Sequence, residues 1–154
     1  MAVIIGKGGR KISENEAMNS IAGYSCYNDG SIRDWQRHTS QFTAGKNFVG
    51  TGGFGPWMIS SDEISDPSVL QIETRLNGNV MQSAPISDLV FNVPKLIAYI
   101  STFTELEAGD VIITGTTGGV GAARKPPVWM KAGDTVEVEI SKIGTLTNPI
   151  LDAN

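Results

Sequence analysis

The polar stretch from Asn28 to His38, NDGSIRDWQRH, concentrates the residue types in this sequence that are most able to do chemistry. It places two aspartates, two arginines, an asparagine, a glutamine and the only histidine around one tryptophan. His38 is a candidate general base because an imidazole titrates near neutral pH. Asn-Asp-Gly at its start is also ordinary turn composition. The stretch is therefore either a solvated turn or part of a site.

Two further segments carry charged or anion-binding groups. Lys46 lies in the glycine-rich, aromatic segment FTAGKNFVGTGGFGP at 42–56, for which an ordered loop is expected. A loop lysine is usually solvated, whereas these aromatic surroundings favour burial. Thr116 lies in TGTTGG, which is either a flexible turn or a concavity of backbone N–H groups that binds anions. The segment is no P-loop, because the Gly-x-x-x-x-Gly-Lys spacing is absent.

The carboxylates of Glu14 and Glu16 would share one metal ion only if their segment were a strand, where residues i and i+2 point to the same face. Ser13 to Glu16, SENE, instead matches a capping box that opens a short helix reaching Ile21. On a helix the two carboxylates do not face each other. We therefore expect this pair to cap a helix.

Short strands dominate the elements that must position these groups. MAVIIG predicts a buried strand, and alternating segments on either side of Asn77-Gly78 predict a hairpin. LEAGDVIIT and MKAGDTVEVEI each place a Gly-Asp turn before a strand, which indicates a reused turn rather than a duplicated domain. The pattern is that of one β-rich domain.

Two helices are predicted beside the strands. SIRDWQRH predicts about two helical turns with Ser31 as the cap, and Trp35 is expected to anchor this helix in the core. A longer helix is predicted over 92–106, with Asn92 as its cap and Pro94 in its first turn. Its apolar stripe is Leu96, Ile97, Ile100 and Phe103.

Composition limits the classes of protein. The 154 residues suit a single domain, and the chain is 40% hydrophobic and 18% charged without a long apolar run. Its single cysteine cannot form an internal disulfide, which favours a reducing compartment. The formal net charge of −4 leaves no basic footprint for nucleic acid. We expect a cytoplasmic protein with neither a nucleic-acid partner nor a membrane partner.

Six motifs occur in an order that resembles the fumarylacetoacetate hydrolase family from about residue 1 to residue 149. They are GYSCYNDGSIRDWQ, GKNF followed by GPW, LNGN, SDLVFNVPKLIAYIS, LEAGDVIITGTTGGVG and KAGDTVEVEISKIGTLTN. The resemblance implies a β-rich α+β fold, a mixed β-sandwich roll with a few short helices. It also implies a homodimer or higher homo-oligomer that acts on small oxo acids with Mg²⁺, Mn²⁺ or Ca²⁺.

The resemblance assigns roles to four residues. Asp29 matches a metal ligand and Lys46 the catalytic lysine beside the metal. Gln36 and Thr116 match substrate-binding residues. His38 does not match the catalytic histidine of the family, which precedes this segment. Arg33 and Asp34 are expected to form a structural ion pair or capping pair.

The chain departs from the family at its metal ligands. The resemblance places a Glu-x-Glu metal pair immediately before Met1, and Glu14 and Glu16 are a poor substitute. One aspartate with waters and substrate oxygens would hold Mg²⁺ weakly. We therefore expect residues 1–154 to be a single core domain that is N-terminally truncated.

The main function that the resemblance implies is divalent-metal-dependent hydrolysis of a C–C bond next to a carbonyl, in a 2-oxo or 2,4-dioxo acid. Alternatives are decarboxylation, keto–enol isomerisation, or an impaired core that only binds small acids or self-associates. The first three reactions build negative charge on an oxygen, which a divalent ion and a lysine can stabilise.

Overall fold

The computed structural model describes residues 1–152 and contains two four-stranded antiparallel sheets. The first has the order β3-β2-β1-β6 and the second the order β5-β4-β7-β8. The strands are β1 Ala2–Ile5, β2 Ile21–Asn28, β3 Gly53–Ser60, β4 Gln71–Leu76, β5 Asn79–Pro85, β6 Val111–Ile113, β7 Thr135–Ile140 and β8 Gly144–Pro149. The expected β-rich α+β sandwich is confirmed. The pairs between these strands are antiparallel rather than mixed, because tight turns rather than crossover helices join partners such as β4 with β5 and β7 with β8.

Helical structure is sparse. The α-helices are α1 Arg33–Gln36, α2 Thr43–Lys46 and α3 Val93–Phe103. Short 3-10 turns cover Ala17–Ser20, Pro67–Val69, Ile86–Asp88 and Gly121–Ala123. In the part of the chain that the structure describes, no helix is long and apolar enough to cross a membrane.

Local chemistry accounts for the turns that the sequence predicts. Asn77 and Gly78 take φ values of 51° and 77°, the left-handed pair that a two-residue hairpin needs. Both Gly-Asp turns close in the same way. The N–H of Glu107 donates to the Asp110 carboxylate at 2.8 Å, and the N–H of Lys131 donates to the Asp134 carboxylate at 2.9 Å. The reused turn is thereby confirmed.

The core lies between the two sheets. Alternate residues of β7, Val136, Val138 and Ile140, are buried, while the residues between them face outward. From the first sheet, Tyr24 and Cys26 of β2 point into the same interior, and the Cys26 thiol donates to the Gly144 carbonyl of β8 at 3.4 Å. Burial also raises the pKa of this thiol.

Outside the polar stretch, local predictions fail at three places: SENE, the segment 42–56 and α3. The segment 42–56, for which an ordered loop was expected, contains α2 Thr43–Lys46 and the start of β3 at Gly53. SENE forms turns rather than a capped helix, since the Ser13 hydroxyl donates to the Glu16 carboxylate at 2.9 Å instead of capping a backbone N–H. The chain then enters β2 at Ile21, because that residue pairs with Ile5 of β1. The third error concerns α3. Asn92 caps it as predicted, accepting from the N–H of Lys95, but Phe103 packs on Tyr99 at the surface instead of joining the core.

Candidate active site

One end of the first sheet brings two loops together. Ala2 of β1 pairs with Ser25 of β2 on one side and with Ile113 of β6 on the other. Both neighbours run antiparallel to β1, so β2 and β6 end beside its start. Asp29 directly follows β2, and Thr116 comes shortly after β6. Two predicted site residues, 87 positions apart in the chain, therefore belong to loops that leave the same end of the sheet.

The start of β1 lies between these two loops. The Met1 carbonyl accepts hydrogen bonds from both the N–H and the hydroxyl of Thr114, each at 3.1 Å. Burial lowers the pKa of the Met1 amino group, while the charges of Cys26 and Asp29 act in the opposite direction.

Lys46 and Asp29 form the charged centre of this region. The Lys46 ammonium lies 2.6 Å from the Asp29 carboxylate and 3.3 Å from the Asp29 carbonyl oxygen. The side chains remain 26% and 39% exposed, so a small molecule can reach both. The pair places one positive and one negative group where a polarised oxygen could bind.

Gln36 is only 6% exposed, and its backbone packs against Gly45, the chain neighbour of Lys46. Its Oε1 accepts a hydrogen bond of 2.5 Å from the Arg33 guanidinium. Because the carbonyl end of the amide is engaged, the two N–H donors on Nε2 remain for other acceptors. Among the described residues, Nε2 donates to no acceptor, so the amide can donate to a ligand.

Contact between α1 and α2 brings Gln36 and Lys46 together. Gly45 packs so closely on α1 that a Cβ at this position would lie 2.6 Å from the Gln36 Cα. The carbonyl of Gly45 also accepts from the N–H of Ile32 at 2.9 Å. The one-turn helices thus position each other, and a side chain at residue 45 would separate them.

Thr116 lies in an exposed loop that is held by β5. The Gln82 side-chain amide donates to the Thr116 hydroxyl and to the Thr117 carbonyl, both at 2.9 Å. Arg124 donates to the Gly119 carbonyl at 3.1 Å and to the Met81 carbonyl at 2.5 Å. TGTTGG is therefore an ordered turn fixed to the second sheet, rather than a free one.

The other residues of the opening stretch differ from the predictions. Only one helical turn forms, and Ile32 rather than Ser31 occupies the N-cap position. Arg33 contacts Gln36 and not Asp34, because adjacent helical residues point in different directions while residues three apart meet. That spacing was the signal in the sequence that could have identified the Arg33–Gln36 contact.

Trp35 is not a core anchor. It is 47% exposed, and its ring contacts His38 and Phe48 with centroid distances of 4.7 and 5.4 Å. With Val49 and parts of α2 it lines a shallow surface cavity of about 420 Å³. The single turn of α1 is too short to bury Trp35 and Gln36 together, because successive side chains differ by about 100°. His38 is therefore stacked at the surface.

The described residues do not form a complete site for a divalent cation. Over residues 1–152, no group of three His, Cys, Asp or Glu side chains could hold a metal ion. Asp29 offers one carboxylate, and that group is engaged by Lys46. Mg²⁺ requires near-octahedral oxygen coordination, so one shared carboxylate fits it poorly.

Comparison with known proteins supplies the family. The family described as "Fumarylacetoacetate (FAA) hydrolase C-terminal" matches this chain over residues 1–151. The chain belongs to this family. The motif resemblance to the family's C-terminal core is thereby confirmed.

Curated relatives in this family are named as enzymes. An oxaloacetate tautomerase of Xenopus laevis is 43% identical over 98% of this chain and 48% of its own length. An oxaloacetate tautomerase of Bacillus subtilis is 42% identical over 97% of this chain and 50% of its own length. The chain thus spans about half the length of these relatives.

Solved structures in the family share the fold. A fumarylacetoacetate hydrolase from Exiguobacterium antarcticum has a TM-score of 0.95 and 39% identity, covering 99% of this chain and 55% of that one. A fumarylpyruvate hydrolase from Pseudomonas aeruginosa, in complex with Mn²⁺ and pyruvate, has a TM-score of 0.87 and 28% identity. It covers 97% of this chain and 63% of its own.

The names of the curated relatives support the keto–enol isomerase alternative better than the preferred hydrolase reaction. The family resemblance implies hydrolysis as the main reaction, with decarboxylation, keto–enol isomerisation or an impaired binding core as alternatives. The two curated relatives described above, at 43% and 42% identity, are named oxaloacetate tautomerases, whereas the two solved structures named hydrolases are 39% and 28% identical. Family members act on oxo acids as isomerases, tautomerases or hydrolases.

Proposed function

We propose that this chain carries the charge-stabilising part of a keto–enol tautomerase for a small 2-oxo acid of the oxaloacetate type. One observation carries the proposal: the Lys46 ammonium lies 2.6 Å from the carboxylate of Asp29, which directly follows β2 at the end of the first sheet, and Gly45 next to Lys46 packs on Gln36. The names of the relatives at 42–43% identity support the reaction class.

Tautomerisation moves one proton between the enol oxygen and the carbon α to the carbonyl, and it breaks no C–C bond. Negative charge develops on the oxygen as the enolate forms. Donors that are already in place stabilise this charge without reorganising during the reaction. The Lys46 ammonium and the Gln36 amide supply such donors, and Arg33 fixes the orientation of that amide.

Hydrolysis would require groups in addition to those that stabilise the enolate. Cleavage of a C–C bond needs a positioned water and a base to activate it. His38, the sole histidine of the sequence, stacks on exposed Trp35 rather than joining the charged pair. His38 is therefore not placed to act as that base at the charged pair.

Each site residue has a proposed role. Lys46 is the catalytic cation at the enolate oxygen, and Gln36 and Thr116 bind the substrate. Asp29 orients Lys46 and contributes one carboxylate to a weakly held divalent cation, Mg²⁺, Mn²⁺ or Ca²⁺. A family structure that contains Mn²⁺ supports metal use. No step described for this chain's residues depends on that ion.

The wider properties of the protein remain predictions. We propose a single domain over 1–154, a homodimer or higher homo-oligomer, and no nucleic-acid or membrane partner. The sequence favours the cytoplasm, whereas the relative from Xenopus laevis is named as mitochondrial.

The proposal is tested by offering two substrates to the same protein. With Mg²⁺ present, the enol absorbance of freshly dissolved oxaloacetate should decay faster than in buffer with Mg²⁺ alone. Fumarylpyruvate should give no pyruvate above the background rate. Pyruvate release would favour hydrolysis instead, and no effect on either substrate would leave a binding module.

A further inference from the structure

Gln82 of β5 lies outside the residues assigned to the site, yet it contacts one of them. Its Nε2 donates to the Thr116 hydroxyl at 2.9 Å and to the Thr117 carbonyl at 2.9 Å. A carbonyl oxygen can only accept, so the nitrogen of the amide must face the loop. This contact fixes the orientation of the amide.

That orientation determines how the Thr116 hydroxyl can act. A hydroxyl has one hydrogen to donate, and its oxygen also accepts. The Thr116 oxygen already accepts from Gln82, and among the described residues its hydrogen has no acceptor. The hydroxyl of Thr117, in contrast, donates to the Gly118 carbonyl at 3.0 Å. Thr116 thus offers a free donor on an exposed loop.

The backbone of the loop that carries Thr116 is also fixed against β5 by contacts other than Gln82. Gly119 approaches β5 so closely that a Cβ there would lie 2.2 Å from the Met81 carbonyl oxygen. Arg124 bridges the Gly119 and Met81 carbonyls. Because the backbone is held independently, Gln82 is not needed merely to attach the loop to the sheet.

We propose that Gln82 is a positioning residue that turns the Thr116 hydroxyl outward as a donor to the carboxylate of a bound oxo acid. The inference rests on the proposed function, in which Thr116 binds substrate. It adds a residue from the second sheet to a site otherwise built on the first.

A double-mutant cycle with oxalate as the probe tests this inference. Oxalate is titrated calorimetrically into the protein in the presence of Mn²⁺. Loss of one hydrogen bond to an anion predicts that Gln82→Met and Thr116→Val each raise Kd about fivefold to tenfold. If Gln82 acts through the hydroxyl, the double variant should bind within about twofold of Thr116→Val alone.

Two variants support the comparison. Gln71→Met is the matched control, since Gln71 is an exposed glutamine of β4 that uses only its backbone in hydrogen bonds, and its Kd should equal that of the wild type. Gln82→Glu keeps the side-chain shape if Gln82→Met does not fold. Its carboxylate would accept from Thr116 and turn the hydrogen away from the ligand, so binding should weaken at least as much.

The outcomes separate the two proposals. Two results would overturn the positioning role while the proposed function stands, provided that the wild type binds oxalate. In the first, the Gln82→Met variant binds oxalate with the wild-type Kd. In the second, Gln82→Met raises Kd by the same factor in the Thr116→Val background as in the wild type. A wild-type protein that binds no oxalate with Mn²⁺ would overturn the proposed function and this inference with it.

Discussion

At the residue scale, the Lys46–Asp29 pair contributes little to folding. Exposed ion pairs contribute about 0–1 kcal/mol to stability, and both side chains here remain partly accessible to water. A lysine held at 2.6 Å from a carboxylate is better explained by the charge that it can stabilise.

Lys46→Met should therefore separate activity from stability. We expect kcat for oxaloacetate tautomerisation to fall at least about 100-fold, because a preorganised charge at the enolate oxygen is lost. The free energy of unfolding should change by less than about 1 kcal/mol. Enol absorbance and urea denaturation measure the two quantities. Lys46→Arg, which keeps the charge, serves as the control. A fall in kcat that is accompanied by a large fall in the free energy of unfolding would contradict the assignment.

At the element scale, α1 and α2 cannot support themselves. Each has four residues, and an isolated helix of that length does not form in water. Their mutual contact through Gly45 therefore fixes the position of Gln36 relative to Lys46.

Gly45→Ala tests this contact. The new Cβ would meet the Gln36 backbone at 2.6 Å, so one of the helices must shift. Overpacking of this kind costs about 1–3 kcal/mol, and the displaced Gln36 should also lower kcat. Gly30→Ala is the matched control, since a Cβ there meets nothing within 4 Å. Thermal unfolding that is identical in the two variants would show that the contact is unimportant.

The sequence predicted those elements whose cause is local. The Asn77-Gly78 hairpin, the Asn92 cap of α3 and the two Gly-Asp turns depend on nearby backbone chemistry, and all four are found. The errors at Trp35 and Phe103 arise from tertiary contacts. A periodic pattern predicts which residues share a face, but it does not say whether another element covers that face.

The same limit applies to the candidate site. Motif resemblance indicated Asp29, Gln36, Lys46 and Thr116. The structure pairs Asp29 with Lys46, packs Gln36 on Gly45 next to Lys46, and places Thr116 in a loop at the same end of the sheet. Gln82 was missed because it lies 34 residues from Thr116 in a different sheet. No local spacing encodes such a contact.

At the scale of the whole molecule, the interior between the sheets holds one polar group without a partner. The Tyr24 side chain is fully buried, and within residues 1–152 its hydroxyl has no hydrogen-bond partner. Burial, with a smaller contribution from the charge of Asp66, raises the pKa of Tyr24 from the ordinary 10.0 to about 12. The fold therefore favours the neutral phenol.

This burial makes stability dependent on alkaline pH. With the folded pKa above the unfolded one, the contribution of Tyr24 is complete below pH 10 and is lost as pH rises toward 12. At pH 11 the loss should be about 1 kcal/mol relative to pH 8. Tyr24→Phe should lack this component and be no less stable at pH 8, since no hydrogen bond is removed. Urea denaturation at pH 8 and pH 11 measures the free energy of unfolding of both proteins. An equal pH dependence in the wild type and Tyr24→Phe would rule out the contribution of Tyr24.

Proton exchange at C3 of oxaloacetate measures the proposed tautomerase activity at the reacting carbon itself. In D₂O with Mg²⁺, proton NMR follows the replacement of the C3 protons by deuterium, with and without protein. A tautomerase core should accelerate this exchange above the rate with Mg²⁺ alone, and Lys46→Met should return it to that rate. Exchange by the wild-type chain at the background rate, or exchange that is unaffected by Lys46→Met, would contradict the proposed function.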